Sequence, residues 1–190
     1  FGLPDRMNLV VGRVSTNPRG FAFVEPEGPS AAGSVASIYI AGNNLNQAMH
    51  GDRVVVRIEH QRDAGRAEGR ILRILDRGSE RIVGRYDVDD AGRGYVVPFD
   101  RRLVIDMEIP SEATLGAQPG EMVIGRVTHW PTPTRPAIGC IVEVLGPIDA
   151  PGVDTRVIIG KYNLPDAHSE EAIEEARRLG SEIKDRDLKG

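Results

Sequence analysis

The chain has 190 residues, of which 40% are hydrophobic and 27% charged, as in a typical soluble globular protein. Its length allows one large domain or two small ones, and no apolar run approaches the ~18 residues that a membrane-spanning helix needs. A single cysteine, Cys140, excludes an internal disulfide framework and is consistent with a reducing cytoplasm. Because Cys140 lies in an apolar run, we expect a buried structural thiol. The sequence begins at Phe1 and ends in a charged segment, so we expect a piece of a longer protein.

The net charge of −4 argues against a protein that simply coats nucleic acid, because such proteins are usually basic. The charge is unevenly distributed along the chain. Residues 1–75 carry nine arginines and seven acidic residues, whereas residues 76–146 carry eight arginines and eleven acidic residues. No lysine occurs in either stretch, and arginine can both pair with phosphate and stack on bases. The positive part of the chain is also its aromatic part.

Short segments of alternating hydrophobicity, separated by turn residues, predict five β-strands in the first part of the chain, up to Asp76. The segment Asn17-Pro18-Arg19-Gly20 predicts a turn between the first two strands. In the fourth strand, apolar residues alternate with a set that includes two arginines, as expected for a barrel wall with one wet face. The predicted strands are residues 8–15, 20–25, 36–41, 52–59 and 68–75.

Aromatic residues occupy one face of two of these strands. Side chains alternate along a strand, so Phe21 and Phe23 share one face while Ala22 and Val24 share the other. Tyr39 likewise faces away from its two isoleucine neighbours. If the aliphatic faces are buried, three rings face solvent, which suits the stacking of unpaired bases. The alternative is that the rings form the core and the aliphatic residues face outward.

The sequence contains two copies of one unit. Val11-Gly12-Arg13 recurs as Val83-Gly84-Arg85, and Gly51-Asp52 recurs with a conservative change as Gly120-Glu121. The period is too long for a solenoid repeat and is the size of one small barrel. We therefore predict an all-β fold of two tandem, five-stranded OB-type barrels, over residues 6–76 and 80–147. The strands predicted for the second copy are residues 81–87, 93–98, 103–109, 120–130 and 138–145.

The second copy departs from the first at the aromatic positions. Arg93 stands at the position of Phe21, while Tyr95 keeps the ring of Phe23. We expect weaker stacking there, with a role in phosphate contact or guidance. The acidic segment 87–90 predicts a solvated hairpin tip, because its spacing fits no EF-hand loop.

Residues 148–190 form the third predicted unit, a linker and lead-in to another domain. A turn-rich stretch at 146–152 is followed by the apolar run from Thr155 to Ile159, which predicts a short strand. Ser169 predicts the N-cap of a helix. Its apolar stripe contains Ile173, Ala176 and Leu179.

The segments Arg19–Val24 and Ile38–Ile40 resemble the two ribonucleoprotein motifs of cold-shock domains, which are five-stranded OB-type barrels that bind single strands. Further segments follow in an order that resembles the N-terminal RNA-binding half of bacterial exoribonucleases of the ribonuclease II family, in its ribonuclease R branch. These segments are His50–Val56, Gly84–Tyr86, Tyr95–Pro98, Asp100–Leu103 and Trp130–Thr132.

The resemblance implies a module that binds single-stranded RNA and feeds it to the parent protein's own catalytic domain, in a 3′→5′ exoribonuclease. In that family a cluster of aspartates downstream of these motifs holds Mg²⁺ for phosphodiester hydrolysis. We therefore expect no cofactor, metal or catalytic residue within this chain, and no RNA hydrolysis by it. Two alternatives stay open: a free-standing tandem cold-shock RNA chaperone or translation regulator, and an OB module that docks another protein.

The candidate RNA-binding residues come mainly from the first barrel. The rings of Phe21, Phe23 and Tyr39 would stack on bases, and Arg19 would contact phosphate or a base. The weaker candidates are Arg13 and His50 from the first barrel and Arg93, Tyr95, Arg101 and Arg102 from the second.

Overall fold

The computed structural model describes residues 8–28, 35–62 and 66–162 and the single positions 164, 174 and 178. In this part of the chain, strands form two closed five-stranded barrels, and a short helix, α1 (Val153–Tyr162), follows them. The predicted all-β class with two OB-type barrels is confirmed. The first barrel contains β1 (Leu9–Thr16), β2 (Ala22–Pro26), β3 (Ser37–Ile40), β4 (Arg53–Arg62) and β5 (Arg66–Asp76). The second contains β6 (Arg81–Val88), β7 (Gly94–Pro98), β8 (Met107–Ile109), β9 (Glu121–His129) and β10 (Ala137–Pro147).

Both barrels have the same connectivity. Around the first barrel the strand order is β1-β2-β3-β5-β4, and the second repeats it as β6-β7-β8-β10-β9. The third strand of each barrel pairs in parallel with the fifth, whereas the other pairs are antiparallel. Closure leaves neither sheet with a free edge.

The core of the first barrel is aliphatic. Val24, Ile38, Ile40, Val54 and Val56 have no exposed surface. Burying one such side chain stabilises the fold by about 1.5–3 kcal/mol. Because strand side chains alternate between faces, burying this set turns the aromatic residues of β2 and β3 to the outside.

The internal repeat is visible in the backbone hydrogen bonds of the first hairpin of each barrel. The Asn17 amide donates to the Phe21 carbonyl at 2.8 Å, and the Asp89 amide donates to the Arg93 carbonyl at 3.0 Å. Each turn also closes on a glycine in the left-handed region, with φ of 85° in the first barrel and 79° in the second. The two hairpins therefore share one geometry, although one carries a ring where the other carries a guanidinium.

The two barrels are joined through the short linker that follows β5. The Arg77 guanidinium donates to the buried Asp52 carboxylate at 2.8 Å and lies over the Trp130 ring, 4.3 Å from its centroid. The other Asp52 oxygen accepts the Gly78 amide at 2.8 Å. Met49, which precedes β4, is buried in the apolar cluster of the second barrel. A first-barrel side chain thus completes the core of the second.

The strand predicted from Thr155 to Ile159 is wrong, because these residues lie within α1. The run Val157-Ile158-Ile159 is rich in β-branched residues, which favour strands. However, Val153 and Val157, one helical turn apart, are both buried against the second barrel, in a cluster with Ile124 and Leu145. Tertiary packing of one helical stripe therefore overrides the local β-propensity.

Two further expectations concern single positions. Cys140 is a free thiol on β10, and it is partly exposed rather than buried as predicted. The predicted helix after Ser169 falls mostly outside the described residues. In the described part of the chain, the helical segments are too short or too polar to cross a membrane.

Candidate nucleic-acid interface

Three aromatic side chains form a cluster on the outer surface of β2 and β3 and the turn before β2. Phe23 lies directly opposite Tyr39 in the antiparallel register of β2 and β3, and 41% and 36% of these two residues are exposed. Phe21 is half-buried beside them. The three ring centroids lie 5.6–5.9 Å from one another. We call Phe21, Phe23 and Tyr39 the ring triad.

The ring planes of the triad are not parallel. Phe21 is inclined by 88° to Phe23 and by 39° to Tyr39, and Phe23 and Tyr39 meet at 65°. A continuous stack of parallel bases, as in a duplex, cannot cover all three rings. Unpaired bases that rotate independently can, so the arrangement fits a single strand.

An open groove of about 850 Å³ runs beside Phe23 and Tyr39. Hydroxyl groups of Ser15 and Ser37 line it and can bond to base edges or phosphate oxygens. Its charges are mixed, with one arginine and two glutamates. The charged lining residues are Glu25, Arg66 and Glu68. We therefore expect a ligand on this face to be bound mainly by stacking on the rings and only weakly by electrostatic attraction.

Arg19 and Arg13 lie at different places relative to the triad. Arg19 is exposed in the hairpin immediately before Phe21, and the Asn17 side chain fixes its backbone by accepting the Arg19 amide at 3.0 Å. Arg13 lies on the outer face of β1 and donates to the Gly51 carbonyl at 3.2 Å. It also approaches the Glu27 carboxylate at 3.8 Å. Arg19 is therefore placed at the end of the triad, whereas Arg13 is partly occupied by other groups.

His50 is not part of the ring triad but lies at the junction of the two barrels. Its Nδ1 atom is buried without a hydrogen-bond partner. Burial is the main cause that lowers the pKa of His50 below 6.5, and the nearby charge of Arg102 lowers it further. Asp100 and Asp52 oppose this shift, and Lys161 adds to it. At neutral pH the imidazole is therefore uncharged, and it offers phosphate no positive charge.

The corresponding face of the second barrel lacks a ring triad. Tyr95 lies opposite Glu108, which stands where the first barrel has Tyr39. Arg93 is paired with the Asp89 carboxylate, with an Nη2 to Oδ2 distance of 2.8 Å. Asp89 also accepts the Arg93 amide at 2.9 Å. The acidic segment thus lies at the tip of the β6–β7 hairpin, as predicted, and Asp89 also holds that turn together. Carrying the alignment of the two copies through the third strand would have revealed Glu108 from the sequence.

Arg101 and Arg102 lie in the turn after β7, at the barrel junction. Arg101 is exposed, whereas Arg102 holds Asp100 through its Nε and Nη2 atoms at 3.0 and 2.6 Å. The Arg102 carbonyl also accepts the Thr16 hydroxyl from the end of β1. Lys161, at the end of α1, approaches the same Asp100 carboxylate at 3.7 Å. Lys161 was not among the sequence candidates, because only the packing of α1 brings it to this turn.

Comparison with known proteins matches both barrels and most of the chain. Residues 12–74 match the model of the ribonuclease B OB domain, and residues 95–169 match that of a cold-shock domain. Ribonuclease R of Thermotoga maritima is 37% identical over 96% of this chain, and that of Escherichia coli is 34% identical over 87%. The chain belongs to the ribonuclease R family. The family resemblance inferred from the ordered motifs is confirmed.

The chain spans only part of the ribonuclease R sequences that it matches. It covers 25% of the Thermotoga maritima protein and 20% of the Escherichia coli protein. A structure of Mycoplasma genitalium ribonuclease R with ribose-methylated single-stranded RNA has the same fold over 95% of this chain and 28% of that one, with a TM-score of 0.74 at 14% sequence identity. At 14% sequence identity, this structural similarity supports a shared fold and nothing more specific.

Proposed function

We propose that this chain is the single-stranded RNA-binding module of a 3′→5′ exoribonuclease of the ribonuclease R type. It would act in the cytoplasm and deliver RNA to a catalytic domain that lies outside these 190 residues. The observation that carries the proposal is the solvent-facing ring triad of the first barrel. The ribonuclease R relatives support it, as does the RNA-bound structure of the Mycoplasma genitalium enzyme.

The proposal divides the chain into two binding domains, residues 6–76 and 80–147, and a lead-in to the catalytic domain, residues 148–190. Hydrolysis and the Mg²⁺ it requires belong to that catalytic domain. Within the described ranges, no group of three or more His, Cys, Asp and Glu side chains is placed to hold a metal ion. Binding, not phosphodiester cleavage, is the role assigned to these residues.

Under this proposal the three rings of the triad each cover one base, and Arg19 contacts the phosphate that leads into the triad. Arg13 and His50 are secondary, because one is partly bonded and the other is uncharged at neutral pH. The second barrel guides the strand through Tyr95 and the exposed Arg101. Arg93 and Arg102 contribute less, because Asp89 and Asp100 already neutralise them.

The expected affinity is modest. Stacking contributes roughly 1–3 kcal/mol per base, so three rings give about 3–9 kcal/mol before ordering costs. A Kd of about 1 μM corresponds to about 8 kcal/mol. We therefore expect the chain alone to bind single-stranded RNA with micromolar or weaker affinity.

The decisive experiment removes two rings of the triad together. The double variant Phe21→Ala/Phe23→Ala should bind a fluorescently labelled single-stranded RNA at least about tenfold more weakly, because two stacking contacts are lost. Both rings lie on the outer face of the barrel, so the fold should persist. Fluorescence anisotropy titration measures the affinity, and circular dichroism checks the fold.

Leu115→Ala provides the matched control, because Leu115 is a large apolar residue on the second barrel and 61% of it is exposed. This variant should bind RNA as the unmodified chain does. A correctly folded double variant with unchanged affinity would exclude stacking by the triad. The absence of saturable RNA binding by the unmodified chain at low salt would instead favour an OB module that docks a protein.

A further inference from the structure

Two exposed aromatic rings outside the ring triad lie near the same lysine at the barrel junction. Phe99 follows β7 and is 43% exposed, and Tyr162 ends α1 and is 58% exposed. The Lys161 ammonium lies 5.8 Å from the centroid of Phe99 and 5.3 Å from that of Tyr162. Both distances are within the range of a cation–π interaction. One cation therefore holds together two rings that come from distant parts of the sequence.

The position of these rings is fixed by a chain of polar contacts to the first barrel. Lys161 approaches Asp100, and Asp100 is held by two hydrogen-bonding nitrogens of Arg102. The Arg102 carbonyl accepts a hydrogen bond from Thr16, which lies opposite Ala22 in the register of β1 and β2. Ala22 is the neighbour of Phe21 in the sequence. The two rings are thus connected, through these contacts, to the end of β2 that carries the triad.

The electrostatic character of this region also suits a polyanion. Arg101, Arg102 and Lys161 supply three positive charges, and among the residues of this contact chain only Asp100 supplies a negative one. The groove beside the triad, by contrast, contains one arginine and two glutamates. A strand that leaves the triad over the junction therefore meets rings for its bases together with a local excess of positive charge for its phosphates.

We propose that Phe99 and Tyr162 form a second base-stacking site for the same single-stranded RNA, with Arg101 contacting its backbone. We call this pair the junction rings. The inference rests on the proposed function, because it extends the path of the strand from the triad across the barrel junction. The junction rings add contacts only for an RNA long enough to reach both sites.

The test compares two lengths of single-stranded RNA, about 4 and about 12 nucleotides, which both fall within the range of roughly 4–16 nucleotides that single OB folds bind. The double variant Phe99→Ala/Tyr162→Ala should bind the longer RNA about tenfold more weakly than the unmodified chain does and should bind the short RNA equally well. Phe21→Ala/Phe23→Ala should weaken the binding of both lengths. Anisotropy titrations measure the affinity of the unmodified chain and of both double variants for each RNA length, with Leu115→Ala as the control for an exposed apolar residue.

A second readout does not depend on affinity. Photo-crosslinking of the unmodified chain to 4-thiouridine-containing RNA, followed by peptide mapping, should find adducts in the segments around Phe99 and Tyr162 with the longer RNA only. Tyr162→Phe, which keeps the ring, should retain the affinity for the longer RNA. Together these two results separate stacking from a merely structural role of the rings.

The outcomes distinguish the two proposals. Equal affinity of the folded junction double variant and the unmodified chain for the longer RNA overturns the second site and leaves the ring triad intact. In that case the junction rings serve a protein contact instead. Loss of any length dependence in the unmodified chain also overturns the second site. An unmodified chain that binds neither RNA overturns both proposals.

Discussion

The Asp100 carboxylate is held in its ionised form by its neighbours. Hydrogen bonds from the Arg102 side chain are the largest cause that lowers the pKa of Asp100 from 3.8 to about 2. The Arg102 amide and the charge of Lys161 act in the same direction, and partial burial opposes them. Since Asp100 lies at the barrel junction, its protonation state affects how firmly the turn after β7 is held.

Acid should weaken the fold through this carboxylate. A depressed pKa in the folded state contributes stability above the unfolded value of 3.8, and this contribution is lost as pH falls towards about 2. We expect Asp100→Asn to remove about 1–2 kcal/mol of the unfolding free energy at pH 6 and much less at pH 2. This figure is discounted because Arg102 is 42% exposed. Urea unfolding at several pH values measures the difference.

The reference for that prediction is Asp90→Asn, because Asp90 is an exposed aspartate in the hairpin of the second barrel. It should change the unfolding free energy little at any pH. A loss for Asp100→Asn that is equally large at pH 2 and pH 6 would show that shape, and not charge, determines the role of Asp100.

Residue by residue, side-chain orientation could be predicted from the sequence, but charge pairing could not. The alternation of aromatic and aliphatic residues placed Phe23 and Tyr39 on the outer face, where the structure has them. The partners of Arg13 and Arg102 depend on loops that fold back from elsewhere in the chain. No local sequence pattern indicates such long-range contacts. The sequence therefore did not show that these candidate arginines are already bonded to other protein groups.

At the scale of elements, the two barrels solve one packing problem in different ways. Tyr86 on β6 is buried and packs over Gly94 at the start of β7. A Cβ atom on Gly94 would lie 2.6 Å from the Tyr86 Oη atom. At the matching positions the first barrel has the smaller Val14 and, in place of the glycine, Ala22. The large ring and the absent side chain are therefore complementary.

This complementarity predicts non-additive stability changes. Gly94→Ala should destabilise the second barrel by about 1–3 kcal/mol, because the added methyl group overpacks the core. Combining it with Tyr86→Val, which copies the first barrel, should cost less than the sum of the two single changes. Urea denaturation curves give the free energies. Simple additivity of the two changes would contradict the proposed contact.

Most strand positions followed from the hydrophobic pattern, whereas the type of the last element did not. Nine of the ten strands lie within three residues of their predicted bounds, because alternation and turn residues agreed in them. The exception is β8, which was predicted at 103–109 and begins only at Met107. Around Val157 the two signals disagree, since β-branched residues favour a strand while buried positions one turn apart favour a helix. Only the surface offered by β6, β9 and β10 decides between them.

At the scale of the whole molecule, one arginine connects the barrels. The Asp52 carboxylate that Arg77 neutralises is 2% exposed, and Arg77 itself is 19% exposed. Arg77→Ala would leave this carboxylate buried without its counter-charge and would remove the contact with Trp130. We expect a loss of about 3 kcal/mol in unfolding free energy.

Arg53→Ala is the matched control, because Arg53 is likewise paired with carboxylates, those of Glu27 and Asp76, but is 40% exposed. It should lower the unfolding free energy much less than Arg77→Ala does, because solvent screens exposed ion pairs. Trp130 fluorescence during urea unfolding reports on the second barrel, and far-ultraviolet circular dichroism reports on both. Similar costs for the two variants would show that Arg77 does not hold the barrels together.

The tandem architecture was visible in the repeat, but the relation between the copies was not. The recurring motifs reveal two units of similar size and say nothing about their contact. The junction depends on residues that lie outside the repeated strands, such as Arg77 in the linker and Met49 before β4. Such residues have no periodic signature, so the joint between two repeats appears only in three dimensions.

The position of Met49 limits how freely the two units can be separated or recombined. Since its side chain fills space among the apolar residues of the second barrel, a cut in the linker would leave a void of methionine size in that half. A chimaera that takes one barrel from a relative keeps both cores packed only if the loop before β4, which carries Met49, comes from the same protein as the second barrel. The two barrels would then evolve together, although each is a separate copy of the repeated unit.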